Sequence, residues 1–361
     1  MQNLPVARGT VIGGGSFGTA LGLVLCAKGA EVRVWVRDAK QADAVNAARE
    51  NEKYLKDVKL PDNISFTSDC AKAVEGTEII LLAIPTQFLR RFLEGHRSTF
   101  PVGPPIVLCA KGVEVGTLAS PYQIVHDELP GKYNRYMAVL AGPSFAKEIA
   151  AGLATNVTVA ADDEALAEKV QHQMSCRKAS FRCYRATDII GCEIAGAVKN
   201  VLAIASGCAT GLGLGNNARA GLICRGLAEM TQLAYALGSD GKAMPGLAGV
   251  GDLLLTCSSE MSRNFTVGFR LAKGESLDSI LGSTTSVAEG VATAKSLHDL
   301  ATKHQVEMPI CEEVYKVLYE HKNVIQALKD LEDRPLAREH KGDAPQTPAG
   351  TAARPPQPPA Q

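Results

Sequence analysis

Thr10-Val11-Ile12 runs straight into Gly13-Gly14-Gly15-Ser16-Phe17-Gly18, a GxGxxG with glycines at 13, 15 and 18. A helical pattern continues to about Lys28, and Glu31-Val32-Arg33-Val34-Trp35-Val36 reads as a second strand. Gly13 permits the tight turn, Gly15 lets backbone approach a pyrophosphate, and Gly18 lets the helix pack against the strand. The helix start adds free N–H groups and the positive end of its dipole. Strand, turn and helix in that order predict a dinucleotide site on an α/β sheet. Arg37 then precedes Asp38 at the end of the second strand. The arginine suits a 2′-phosphate or an adenine face and the aspartate suits ribose hydroxyls. A nicotinamide dinucleotide is expected, with NADH and NADPH both open.

The chain changes character twice. Up to about Thr187, β-rich runs alternate with helical stretches: a polar helix through Asn51, then apolar runs at Glu78–Ile84, Ile106–Cys109, Met137–Leu140 and Val157–Ala160. That alternation argues for βαβ units and a mainly parallel sheet. From about Ile189 the β-rich runs disappear, and Cys192–Ser206 and Ala218–Leu237 carry Ala, Leu and Ile at helical spacing. From Arg334 the apolar content falls and seven of the eighteen prolines gather, so a solvated tail is expected. The expected division is 1–188 Rossmann-like α/β, 189–333 all-α and 334–361 tail.

Lys plus Arg equals Asp plus Glu, 38 against 38, so no broad basic surface is present for nucleic acid or an anionic membrane. An anionic partner must be met by a local site. The longest uncharged stretch, Asn200–Ala218, holds three Asn and several Gly, which argues against a membrane span. Ten cysteines without a CxxC read as reduced, mostly buried thiols, with no metal site expected. The internal His126-Asp127-Glu128-Leu129 and the sequons at Asn63, Asn156 and Asn264 carry no targeting reading. A cytosolic-type protein is expected.

Polar residues stand where such a fold would favour apolar ones. Cys109-Ala110-Lys111-Gly112-Val113 puts a lysine beyond the end of an apolar strand, on the side where open α/β sheets bind ligands. Ala141-Gly142-Pro143-Ser144-Phe145-Ala146 follows another strand, with Ser144 a candidate N-cap. Lys199-Asn200 interrupts a helical run, and the neighbours of Lys199 on its own face are Ala195, Gly196, Leu202 and Ala203. A lysine on such a face snorkels or is buried, and burial tunes lysine for acid–base work. Asp252, in the Gly-rich segment 246–253, either caps the following helix or pairs with a catalytic lysine. Thr256, Ser262, Arg263 and Asn264 then gather hydroxyl, guanidinium and amide donors, a set suited to a small phosphorylated substrate.

Taken together, Gly13–Ala20, Cys109–Val113, Leu140–Ile149, Gly191–Leu202, Gly211–Gly226, Gly246–Arg263 with Asn264, and Val287–Val291 closely resemble the soluble NAD(P)-dependent glycerol-3-phosphate dehydrogenases. The resemblance covers about residues 8 to 330. It implies a Rossmann-like domain and a helical domain of 6-phosphogluconate-dehydrogenase type with the active site between them. The implied reaction interconverts dihydroxyacetone phosphate and glycerol 3-phosphate. Lys199 matches the general acid/base, with Lys111 and Asp252 as its active-site partners. Gly142 and Ser144 match substrate contacts, and Ser262, Arg263 and Asn264 match the phosphate group's contacts, with Arg263 also reaching the cofactor. Ser16, Phe17, Arg37, Ala146, Val287 and Glu289 match cofactor contacts. A homodimer follows from the family. The tail departs from the family pattern and lacks the Ser-Lys-Leu ending of some organellar members, so the cytosol is expected. A 6-phosphogluconate- or ketopantoate-type reductase is the rival enzyme reading, and a dinucleotide-binding redox sensor the non-enzymatic one.

Overall fold

The computed structural model describes residues 6–283, 288–336, 338 and 339; Val287 and the tail from 340 onward lie outside the described residues. The first half contains β1 (Arg8–Ile12), α1 (Ser16–Ala27), β2 (Glu31–Trp35), α2 (Ala39–Ala48), β3 (Glu50–Asn51), β4 (Leu55–Lys59) and β5 (Ile64–Thr67). It continues with α3 (Cys70–Val74), β6 (Ile79–Leu82), α4 (Thr86–His96), β7 (Ile106–Leu108), α5 (Pro121–Glu128) and β8 (Met137–Ala141). It ends with α6 (Ala146–Ala150), β9 (Thr155–Ala160), α7 (Glu164–Met174) and β10 (Phe181–Ala186). Eight of these strands form one sheet in the order β10-β9-β8-β7-β6-β1-β2-β5. Every pairing in it is parallel except β8 with β9. The central strands β6, β7 and β8 are buried at every residue, as strands covered on both faces must be.

Two sheet strands fall outside the runs read from the sequence. β5 and β10 alternate buried and exposed residues and close the two edges of the sheet. The polar helix expected through Asn51 stops at Ala48, because Arg49 takes a left-handed conformation (φ 52°) and donates to the Ile64 carbonyl at 3.1 Å. The chain then turns back as the β3–β4 hairpin, which carries Asn51 beneath the glycine turn.

The second half is helical: α8 (Ile189–Gly211), α9 (Gly215–Ala236), α10 (Asp252–Ser258), α11 (Arg263–Ala272), α12 (Leu277–Gly282), α13 (Glu289–His304), α14 (Pro309–Tyr319) and α15 (Val324–Glu332). By length and composition α8 is long and apolar enough to cross a membrane, yet 89% of its most apolar window is buried inside the protein. A helix apolar on all sides is a core helix when protein surrounds it. One face of the sheet (Ile80, Leu82, Leu108, Val139) shares a continuous core with Ile194, Val198 and Leu202 of α8. The opposite face, with Val11, Leu81, Val107 and Val159, has a core of its own. All ten cysteines are free thiols, and only Cys208 and Cys224 escape full burial.

Backbone contact fixes α8 against α11. A Cβ on Gly207 would stand 2.0 Å from the Phe265 carbonyl oxygen, and one on Gly268 would stand 1.9 Å from that of Ile204. Neither neighbour is a side chain that could swing aside. Gly268→Ala should therefore destabilise the protein by about 3 kcal/mol or more, the upper range for overpacking. Urea unfolding of the variant checks this, and a loss under about 1 kcal/mol would show that the helices separate easily.

Candidate active site

The carboxyl ends of β1, β7 and β8 bring three loops to one edge of the sheet, and the helical half closes over it. The first loop is the glycine turn. Gly13 has φ +113°, and a Cβ there would meet the Ala83 carbonyl at 2.7 Å. A Cβ on Gly18 would lie 1.9 Å from the Gly13 oxygen, so the third glycine is required for α1 to start so close to the turn. Gly15 faces open space, with nothing within 4 Å of an added Cβ. It is also the N-cap of α1 and supplies no side-chain hydrogen bond, which leaves first-turn N–H groups to a ligand. This cradle fits a pyrophosphate.

Asn51 and Tyr54, which carry no site signal in the sequence, support the cradle. Asn51 Nδ2 donates to the Gly14 carbonyl at 3.0 Å and to Thr19 Oγ1 at 2.9 Å, and Ser16 Oγ donates to the Tyr54 carbonyl at 2.5 Å. Arg37 is exposed at the end of β2. Asp38 caps α2, its Oδ1 accepting the Lys40 N–H at 2.9 Å.

Lys111 stands beyond β7. Its carbonyl accepts from Thr86 Oγ1 at 3.0 Å, and its stem passes Gly196 of α8, where an added Cβ would lie 3.4 Å from Lys111 Cγ. This stem is the body that the small-residue face of α8 accommodates. The Lys111 ammonium lies 5.7 Å from the Phe17 ring centroid and donates to Asp252 Oδ2 at 2.9 Å. Lys199, 5% exposed, donates to the other Asp252 oxygen, Oδ1, at 2.5 Å and to Thr256 Oγ1 at 3.0 Å. Thr256 in turn donates to the Asp252 carbonyl at 2.6 Å.

Asp252 does not cap a helix. It is the first residue of α10, after a π-helical turn, Leu247–Gly251, whose backbone needs Gly249 because a Cβ there would meet the Met244 oxygen at 2.1 Å. That wide turn aims the carboxylate inward at the two lysines. Burial lowers the Lys199 pKa to about 8, helped by the adjacent Lys111 charge and opposed by Asp252. Burial also presses on Lys111, but Asp252 more than offsets it and the pKa lies above the usual lysine value. Burial would raise the Asp252 carboxyl, and the two ammonium groups hold it below its usual value.

Beside this triad, Ser262 caps α11 by accepting the Phe265 N–H at 3.3 Å. Asn264 Nδ2 donates to Asn200 Oδ1 at 2.9 Å, and its Oδ1 accepts the Gly290 N–H at 3.0 Å. The Arg263 side chain is exposed and pairs with no described residue. Half-buried Glu289 opens α13; burial raises its carboxyl pKa, and the Arg263 charge opposes that. Gly142 (φ +129°) packs against Val157 Cα. Ser144 is not an N-cap: α6 starts at Ala146 with Phe145 as its cap residue, and the Ser144 hydroxyl folds back to the Gly142 carbonyl at 2.8 Å. An apolar recess of about 990 Å³ between α8, α9, α14 and α15 is separate from these groups. The two buried carboxylates on its wall are committed: Glu229 to the N–H groups of Ile310 and Cys311, and Glu313 to Lys316 and Lys322.

The arrangement holds a proton-bearing lysine, a second ammonium and a cluster of anion donors between a pyrophosphate cradle and a closed helical wall. Asp252→Asn leaves two ammonium groups without their counter-charge. It should cost about 3–5 kcal/mol of stability, as breaking a buried ion pair from one side does. Urea unfolding at neutral pH reads this, and an unchanged midpoint would mean that solvent already neutralises the lysines.

The family description "NAD-dependent glycerol-3-phosphate dehydrogenase N-terminus" matches residues 9–167, and its C-terminus counterpart matches residues 188–329. Glycosomal glycerol-3-phosphate dehydrogenase [NAD(+)] of Trypanosoma brucei rhodesiense is 50% identical over 345 residues, covering 94% of this chain and 97% of its own. Glycerol-3-phosphate dehydrogenase [NAD(P)+] of Myxococcus xanthus is 44% identical over 327 residues, 91% of this chain and 97% of its own. The crystal structure of the Coxiella burnetii glycerol-3-phosphate dehydrogenase superposes with a TM-score of 0.85 at 34% identity, covering 91% of this chain and 99% of that one. With both halves matched and relatives aligned over nearly their whole length, the chain belongs to the NAD-dependent glycerol-3-phosphate dehydrogenase family.

Proposed function

We propose that this protein interconverts dihydroxyacetone phosphate and glycerol 3-phosphate, with Lys199 as the general acid/base. The carrying observation is the buried Lys199–Asp252–Lys111 array between the glycine turn and the donors of α11. In this reading residues 1–188 bind the dinucleotide and 189–333 supply the proton chemistry and the substrate phosphate site. Gly13, Gly15, Ser16, Phe17 and Gly18 would hold the pyrophosphate side of the dinucleotide, with Arg37, Lys111, Ala146, Arg263, Val287 and Glu289 along its length. When bound, the dinucleotide supplies or accepts a hydride.

The chain's own residues do the rest. Lys199 protonates the substrate oxygen during reduction and takes the proton back during oxidation. Lys111 stabilises the negative charge that develops on that oxygen, in a site where water does not screen it. Asp252 and Thr256 hold the Lys199 ammonium in register. Ser262, Arg263, Asn264 and Asn200 grip the phosphate, with Gly142 and Ser144 beside the substrate, so binding energy remote from the carbonyl orients it. Asn264 is already oriented by Gly290 and Asn200, and its second amide N–H is left for the phosphate.

The test is the fall in absorbance of NADH, and separately NADPH, on adding dihydroxyacetone phosphate to purified protein. Lys199→Met should abolish turnover while dinucleotide binding persists; near-normal turnover in that variant would sink the assignment. Reduction should decline as pH rises past about 8, where Lys199 loses its proton, while oxidation of glycerol 3-phosphate rises over the same interval. No oxidation of either dinucleotide by folded, nucleotide-binding protein would favour a sensor.

For cofactor choice, we infer that both dinucleotides serve and that Arg37 carries the preference for NADPH, since Asp38 is engaged as a helix cap. Arg37→Ala should lower kcat/KM for NADPH by about 10- to 100-fold, the worth of a charge-assisted hydrogen bond to a phosphate, and that for NADH far less. Equal losses with both would assign Arg37 a different task. We further propose a cytosolic homodimer. The glycosomal Trypanosoma relative supports a rival, organellar reading, and imaging of the full chain separates the two.

A further inference from the structure

Glu193 is a recessed carboxylate that the proposed chemistry leaves unused. It lies on α8, three residues before Gly196 and six before Lys199, about 9 Å along the helix from the lysine. Its Oε2 accepts from Ser120 Oγ at 2.5 Å and its Oε1 accepts from the Tyr122 N–H at 2.7 Å. Both donors sit at the start of α5, on the sheet half. Ser120 is the N-cap there, in a capping box with Gln123, and Pro121 occupies the first helical turn. The Tyr122 N–H is thus an orphan donor at the positive end of the helix, and it is answered by a carboxylate from the other half of the molecule. Tyr122 is itself anchored, its hydroxyl donating to Asp162 at 2.6 Å.

The position of this contact gives it meaning. The connection from β7 to α5 carries Lys111 near its start and Ser120 at its end. The same connection therefore meets α8 twice, through Lys111–Asp252–Lys199 and through Ser120 and Tyr122 on Glu193. The Lys111 end is held independently: Gln87 Nε2 and Ser296 Oγ both donate to the Val113 carbonyl, at 2.8 and 2.9 Å. What Glu193 holds is α8.

We propose that Glu193 is a positioning residue that pins α8 to the sheet half and so sets where the Lys199 ammonium stands relative to Lys111 and the substrate oxygen. This rests on the reading of Lys199 as the general acid. The contact requires two polar atoms in a fixed place, one of them an acceptor for the Tyr122 N–H. Glutamine can keep both links, accepting from the Tyr122 N–H through Oε1 and donating to Ser120 Oγ through Nε2.

The test compares wild type, Glu193→Ala and Glu193→Gln in steady-state reduction of dihydroxyacetone phosphate, with hydrogen exchange of the α8 amides measured on the NADH-bound proteins. Glu193→Ala should lose on the order of 10- to 100-fold in kcat, the scale for misplacing a catalytic group by about 1 Å. KM for the triose phosphate and Kd for NADH should change less than kcat, because the glycine turn and the donors of α11 make no hydrogen bond to Glu193. Exchange at residues 196–200 should rise. Glu193→Gln should recover kcat and protection. If Glu193→Ala does not fold, Ser120→Ala removes one of the two links and should show the same pattern more weakly. Unchanged kcat in a folded Ala variant, or equal damage in Ala and Gln, would overturn the proposal. Should the wild type itself not reduce the triose phosphate, the reaction assignment fails, and the exchange measurement still decides whether Glu193 pins α8; unaltered exchange would refute the pin.

Discussion

A single buried carboxylate held between a buried lysine and a half-buried one sets the terms for the rest of this structure. Removing three charges from water is expensive, and their attraction offsets the expense only when the geometry is good and the remaining hydrogen bonds are met. Asp252 meets the first condition with one oxygen for each lysine, and Thr256 meets part of the second. The array still carries one excess positive charge. Apolar residues of similar shape in place of such a buried ionic array are often as stabilising or more so. Its physical rationale is therefore chemical: a lysine whose pKa burial lowers to about 8 can give and take a proton near neutrality.

Holding such an array demands that the three elements bearing it cannot slide. The molecule achieves this with glycines where backbone meets backbone. Gly207 and Gly268 let α8 and α11 touch, Gly249 lets the π-helical turn close on Met244, and Gly18 lets α1 start against its own turn. Backbone contacts have no rotamers to change, so they transmit position with little slack. They also join the two halves of the chemistry: α8 carries Lys199 and Asn200, and α11 opens with Arg263 and Asn264, tied together by the 2.9 Å amide contact. The shared core of α8 and the sheet does the same for the dinucleotide side.

Much of this is legible in the sequence itself. The glycine turn and the central strands announce themselves because their signals are local. Lys199 stood out because a charge among Ala, Gly and Leu has no cheap surface explanation. Asp38 and Ser144 were harder, since short polar side chains near turns have several close partners; Asp38 took the Lys40 N–H and Ser144 the Gly142 carbonyl. Asn51 beneath Gly14 and Glu193 against Ser120 were illegible for a different reason. Each bridges segments 37 and 73 residues apart, and nothing in either local sequence names the partner. β5 and β10 escaped notice because edge strands with one polar face carry a weak hydrophobic signal.

The absence of net charge acquires a reading in this light. A chain with 38 cations and 38 anions exerts little long-range pull on a charged metabolite, so capture depends on what the ligand meets at contact. At the cleft that balance is locally broken: Lys111, Lys199 and Arg263 face Asp252 and a Glu289 whose carboxyl is already shifted toward its neutral form by burial. Asp252 is consumed by the two lysines, and the exposed guanidinium of Arg263 has no ion pair among the described residues at the start of α11, where helix N–H groups add to it. An anion small enough to enter gains all of these at once. Discrimination thus comes from depth and shape, and the buried positive excess that makes the array costly to fold is the same excess that a phosphorylated substrate would neutralise on binding.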